Sequence, residues 1–79
     1  MSESISDTTL DARGLKCPLP VLKARRALKE VPAGGILRVL ATDPGAEQDF
    51  AHFCETTGCL LLECLWGGNE LRITLRKPS

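Results

Sequence analysis

Two strand-like stretches in this chain each run into a proline-marked helix start, and each of those helices runs on to a glycine stop. Few folds accommodate that punctuation. The first start is Cys17-Pro18-Leu19-Pro20 and the second is Asp43-Pro44. Proline is tolerated in a first helical turn because the N–H groups there have no intrahelical acceptor. The stops are Pro32-Ala33-Gly34-Gly35 and Gly58. Each helix therefore has a strand on either side of it.

The periodicities fill in the elements. Thr8-Thr9-Leu10-Asp11-Ala12 alternates as a first strand, and Arg13-Gly14-Leu15-Lys16 turns the chain toward Cys17. Over residues 18–31, Val21, Ala24, Ala27, Leu28 and Val31 share one helical face, with Lys23, Arg26 and Lys29 opposite. Residues 36–42 read as a strand with Leu37, Val39 and Ala41 inward. Asp43 is the expected N-cap of the second helix and Pro44 its first residue. Ala46, Phe50, Phe53, Cys54 and Thr57 line that helix's core face. Residues 59–66 form an apolar strand, Gly67-Gly68-Asn69 a hairpin turn, and residues 70–76 a strand with Leu71, Ile73 and Leu75 in and Arg72, Thr74 and Arg76 out.

The order β-α-β-α-β-β predicts an α/β two-layer sandwich, a four-stranded mixed sheet with two helices on one face. At 79 residues the chain is one domain, expected over residues 8–79 after a short loose tail at residues 1–7. With helices on one face, Ile36, Leu40, Leu61 and Leu65 belong either to an open docking or self-association face or to the core.

Formal net charge is zero, but the charges are segregated. Arg13, Lys16, Lys23, Arg25, Arg26 and Lys29 form a basic block, and every charge between Leu40 and Leu71 is acidic. No apolar run approaches the ~20 residues that span a bilayer, and the N-terminus lacks the charge and apolar core of an export signal. A reducing cytoplasm, with four free cysteines, is the expected setting.

Cys17 is the candidate nucleophile. A thiol at a helix N-terminus, with Arg13 and Lys16 close in sequence, is expected to ionise readily, and Pro18 and Pro20 stiffen the segment that presents it. A structural role as N-cap explains the residue poorly, since Ser, Thr, Asp and Asn fill that role better. Leu19 and Leu22, with Lys23 and Arg26 beside them, are expected on the exposed side of the helix as a partner-docking patch. Cys54, Cys59 and Cys64 are five residues apart, not at zinc-ligand spacing, so no metal is expected. Cys54 and Cys64 read as small core residues, with Cys59 left as a candidate second thiol. His52 enters no recognisable catalytic constellation, and Asp11 and Asp43 are read as a turn-shaping residue and a helix cap.

The run Leu10-Asp11-Ala12-Arg13-Gly14-Leu15-Lys16-Cys17-Pro18-Leu19-Pro20 closely resembles the signature of the TusA/SirA-like sulfur carriers, with its Cys-Pro-x-Pro motif. The resemblance continues through Asp43-Pro44, Phe53-Cys54 and the closing Ile73-Thr74-Leu75-Arg76-Lys77. It implies the same two-layer fold, a cytoplasmic protein, and a persulfide held on Cys17 with no separate cofactor. It also implies a sulfur donor, a cysteine desulfurase or rhodanese, and a sulfur-accepting protein. Sulfur would pass toward tRNA thiolation, cofactor biosynthesis or sulfur metabolism. Leu19 stands where the tRNA-thiolation members carry an acidic residue. Such a carrier acts with partner enzymes and is expected to be monomeric when free, touching nucleic acid only indirectly. Two other classes compete. One is a regulatory or nucleic-acid-binding module using the basic helix, disfavoured by zero net charge and a shortage of aromatics for stacking. The other is a thiol redox protein, disfavoured by the lack of a nearby resolving cysteine.

Overall fold

The computed structural model describes residues 7–79, so the expected tail lies outside the described residues except for Asp7, which belongs to the first strand. In chain order the elements are β1 (Asp7–Ala12), α1 (Leu19–Leu28), β2 (Ile36–Ala41), α2 (Ala46–Thr57), β3 (Leu60–Gly67) and β4 (Glu70–Arg76). The sheet order is β1-β2-β4-β3. β1 and β2 are parallel, as a crossover through α1 allows, and β4 pairs antiparallel with both β2 and β3. β4 therefore sits between β2 and β3, splitting the second β-α-β unit.

Both helices lie against one sheet face, α1 over β1 and β2, α2 over β4 and β3. The core between the layers holds Leu37, Val39, Leu71, Ile73 and Leu75 from the two central strands, and Ala24, Leu28, Phe50 and Phe53 from the helices. Phe50 and Phe53 meet edge to face with centroids 6.2 Å apart. Strand alternation puts Leu71, Ile73 and Leu75 in the core as expected, since β4 is a central strand with one face covered.

Several boundaries differ from expectation, each for a local reason. α1 ends at Leu28, not Val31. Its last turn tightens, with Lys29, Glu30 and Val31 donating to carbonyls three residues back at 3.0–3.1 Å. Val31 is nevertheless buried, and Lys77 Nζ closes this end by donating to the carbonyls of Leu28 and Val31 at 2.7 Å each. α2 begins at Ala46 with Gly45 as its N-cap. Asp43 serves one turn earlier, accepting from the Gly45 N–H at 2.9 Å, and Pro44 is in the turn instead of the helix. Gly58 ends α2 with φ +82, a left-handed conformation that glycine adopts without steric cost.

On the open face, Leu61 does not sit where alternation along β3 puts it. The register shifts between Leu61 and Glu63, so Leu61 pairs with Leu75 and belongs to the helix side. The open face instead carries Ile36, Leu40, Leu60 and Leu65 among polar side chains. Thr74 points outward as expected but is buried there, its hydroxyl donating to Glu63 at 3.1 Å.

Candidate functional site

Because β1 and β2 run parallel, both helices start from the same edge of the sheet. The crevice beyond the carboxyl ends of such strands is where α/β folds place ligands and chemistry. Here that edge gathers the β1–α1 loop, which holds Cys17, and the turn Asp43–Gly45 that opens α2. Gly14, at φ +82, bends the loop, and its N–H donates to Thr42 Oγ1 at 2.9 Å, tying the loop to the end of β2. Pro20 is buried and seats the start of α1 in the core. Cys17 itself is exposed.

Cys17 is not the helix cap. α1 starts at Leu19, so Pro18 is the N-cap and Pro20 the second helical residue. The Cys17–Pro18 peptide is cis. The Leu19 N–H does not serve the sulfur; it donates to the Lys16 carbonyl at 2.8 Å. The thiol turns toward α2: Cys17 Sγ hydrogen-bonds Asp49 Oδ2. Gly45 lies against it, near enough that a Cβ there would sit 3.5 Å from Cys17 Cβ and 3.7 Å from Sγ.

This geometry reverses the expected acidity. The thiol's pKa is raised, first by its hydrogen bond to the Asp49 carboxylate, then by desolvation, then by the negative charges of Asp49 and Asp43. Anions beside a thiol oppose a second negative charge. Neither cation expected to lower the pKa acts on it. Arg13 turns away to a carboxylate pair, meeting Asp11 through Nε and Nη2 at 2.9 Å each and Glu70 at 3.3 Å. That pairing holds the Asp11 carboxyl down at about 2, led by its hydrogen bond from the Arg13 side chain. The Arg13 backbone N–H also donates to Asp11 at 3.1 Å, so Asp11 does shape this turn. Lys16 is exposed and is not among the groups that act on the thiol.

The family Sulfurtransferase TusA matches residues 8–77 of the chain. The chain belongs to the TusA family. A Neisseria meningitidis protein is 52% identical over 59 residues, covering 75% of this chain and 80% of its own length. The sulfur carrier protein TusA of Allochromatium vinosum is 42% identical over 71 residues, covering 90% of this chain and 93% of its own. Among solved structures, a SirA-like protein from Desulfitobacterium hafniense superposes with a TM-score of 0.79 at 31% identity, covering 91% of this chain and 99% of that one. This TusA-family protein is thus a sulfur carrier, one that works in relay with donor and acceptor proteins.

Two grooves of the TusA-family chain flank α1, and Cys17 itself lines neither. One, of about 480 Å³, runs along the outer side of α1 and is lined by Leu10, Leu19, Leu22, Lys23, Arg26 and Ala27. The four residues expected as a docking patch therefore line a single groove, with Leu19 46% and Leu22 48% exposed. The other, of about 430 Å³, lies between α1 and α2, with Pro18 and Asp49 at the Cys17 end and Arg25, His52 and Phe53 among its walls. The Arg25 guanidinium lies 5.1 Å from the Phe53 ring centroid.

The remaining cysteines are set apart from this site. Cys54 and Cys59 are buried and Cys64 is half-buried on β3, so Cys59 offers no accessible second thiol. Burial pushes the Cys54 thiol up to about 11. Among the described residues no group of His, Cys, Asp and Glu side chains is arranged to hold a metal ion, and no helix is long and apolar enough to cross a membrane. Asp49 is the residue that sequence reasoning missed. Its signal was available: parallel β1 and β2 oblige both helices to start at one edge, so the first turn of α2 must approach the Cys17 loop.

Proposed function

We propose that this carrier holds its sulfur as a persulfide on Cys17, loaded by a cysteine desulfurase or rhodanese and delivered to an acceptor protein. The observation that carries this reading is that Cys17 is the one fully exposed thiol among the described residues, on the Cys-Pro-x-Pro loop at the sheet edge where both helices begin. Sulfur transfer needs a reachable thiol, and the other three lie partly or wholly in the core. Pro18 and Pro20 restrict the backbone beside it. Donor and acceptor dock along the groove of Leu19, Leu22, Lys23 and Arg26, where apolar contacts are rimmed by positive charge that steers an acidic partner. The carrier works in a reducing cytoplasm, and the sulfur enters a relay such as tRNA thiolation, cofactor biosynthesis or sulfur metabolism.

Intact-mass measurement tests it. Incubation with a cysteine desulfurase or rhodanese donor should add one sulfur atom to the wild-type chain, at Cys17, and reductant should remove it. Cys17→Ser should abolish loading without loss of fold, because an exposed sulfur contributes little to the core. Failure of several donors to load Cys17 removes the persulfide proposal. Accumulation of mixed disulfides instead would point to a thiol redox protein.

A further inference from the structure

The nucleophile of a sulfur relay is usually expected in a cationic setting, yet here its nearest polar neighbour is an anion. Asp49 is half-buried in the first turns of α2, and its Oδ2 takes the hydrogen bond from Cys17 Sγ. Among the described residues no cation forms a salt bridge with it. Asp43, the second carboxylate on this side, is turned to the Gly45 N–H at 2.9 Å. The other charged or titratable groups near the thiol are Lys16 beside it in the loop, His52 one turn further along α2, and Arg25 across the groove on α1. Arg25 lies over Phe53, and Arg13 is held by Asp11 and Glu70.

We propose that Asp49 gates Cys17: its carboxylate retains the thiol proton in the free carrier, so sulfur is accepted efficiently only from a donor that brings a positive side chain up to Asp49. This rests on the reading of Cys17 as the sulfur-carrying residue. A carboxylate beside Sγ disfavours the thiolate, and the raised pKa of Cys17 agrees with that. It also repels small anionic sulfur species, so stray polysulfide meets both a protonated nucleophile and a like charge. A donor's Lys or Arg ion-pairing with Asp49 removes both obstacles at once. Loading is then balanced within the two proteins. Cys17 Sγ bonds to the terminal sulfur of the donor's persulfide, and the donor's own S–S bond breaks. Its electron pair stays on the donor sulfur, and the proton given up by Cys17 ends on that departing thiolate. No external oxidant or reductant is needed.

Asp49→Asn tests the gate, with Asp49→Ala alongside because alanine favours the helix and guards against loss of fold. Two readouts are needed, per-site alkylation of Cys17 across pH and loading rates from sodium tetrasulfide and from a cysteine desulfurase. Both variants should move the Cys17 alkylation profile to lower pH, raising its rate at pH 7 by about threefold or more. Loading from tetrasulfide should rise while loading from the desulfurase does not, so the wild-type preference for the protein donor collapses. An unchanged alkylation profile in folded variants overturns the proposal. So does a shifted profile with the donor preference intact. If Cys17→Ser still gains sulfur, the persulfide site is wrong, whereas the alkylation shift in Asp49→Asn is read independently of any donor.

Discussion

Replacing Cys54 with serine should damage the fold and leave sulfur loading alone, and the structure sets the size of the damage. Cys54 is 7% exposed on the core face of α2, within the cluster that holds Phe50 and Phe53. A hydroxyl placed there without a partner costs about 1–3 kcal/mol. On a helix, serine can turn its hydroxyl back to the carbonyl four residues earlier, here that of Phe50, which places the loss toward the lower end, about 1–2 kcal/mol. For a domain of this size that lowers Tm by about 4–16 °C. The pH dependence gives a second, independent check. Burial opposes the thiolate and pushes the Cys54 thiol up to about 11 in the folded chain, above its ordinary value of 9.0. The folded state therefore keeps the proton longer than the unfolded state. The resulting stabilisation is complete below about pH 9 and is lost as pH rises through 11, a change on the order of 2–3 kcal/mol. Serine has no such ionisation, so the stability gap between wild type and variant should close, and then reverse, across that window. Thermal melts at neutral pH measure the first effect, and urea melts at intervals from pH 8 to 11, with m-values compared, measure the second. A Tm loss below about 2 °C, or stability curves that stay parallel to pH 11, would refute the placement of Cys54 in an apolar core.

Other perturbations probe the site and its supports. Charge reversal at Lys23 and Arg26 should slow association with a sulfur donor and flatten its salt dependence while circular dichroism stays unchanged, because rim charges act mainly on the on-rate; stopped-flow binding at low and high salt checks this. Gly45→Ala adds a methyl 3.5 Å from Cys17 Cβ and 3.0 Å from Asp43 Oδ2, so the domain should fold with a small carboxylate shift. Intact-mass time courses should show its sulfur loading slowed several-fold. Lys77→Met removes both 2.7 Å bonds to the carbonyls of Leu28 and Val31 and should lower stability by about 1–3 kcal/mol, read from denaturant melts.

The sequence by itself determined the order of elements and most of the inward-facing residues, and it singled out Cys17 as the candidate thiol. These follow from local rules: proline fits first turns, glycine supplies positive φ at Gly58, and alternation sorts Leu37, Val39, Leu71, Ile73 and Leu75 onto one face. The Cys-Pro-x-Pro run and its flanks carry enough signature to name a family. What tertiary structure decided is whatever depends on residues distant in sequence. A register shift in β3 moved Leu61 to the helix side, because register is settled between strands and not within one. Thr74 became buried through a bond to Glu63 on the neighbouring strand. Most consequentially, the electrostatics of Cys17 were misread from its neighbours in the chain. Arg13 and Lys16 are close in sequence, but Arg13 is drawn to Asp11 and Glu70, while Asp49, 32 residues away, reaches the sulfur. Charge interactions depend on distance in space and on what each ion has already paired with, and only the packing of α2 beside the β1–α1 loop brings that carboxylate to the thiol.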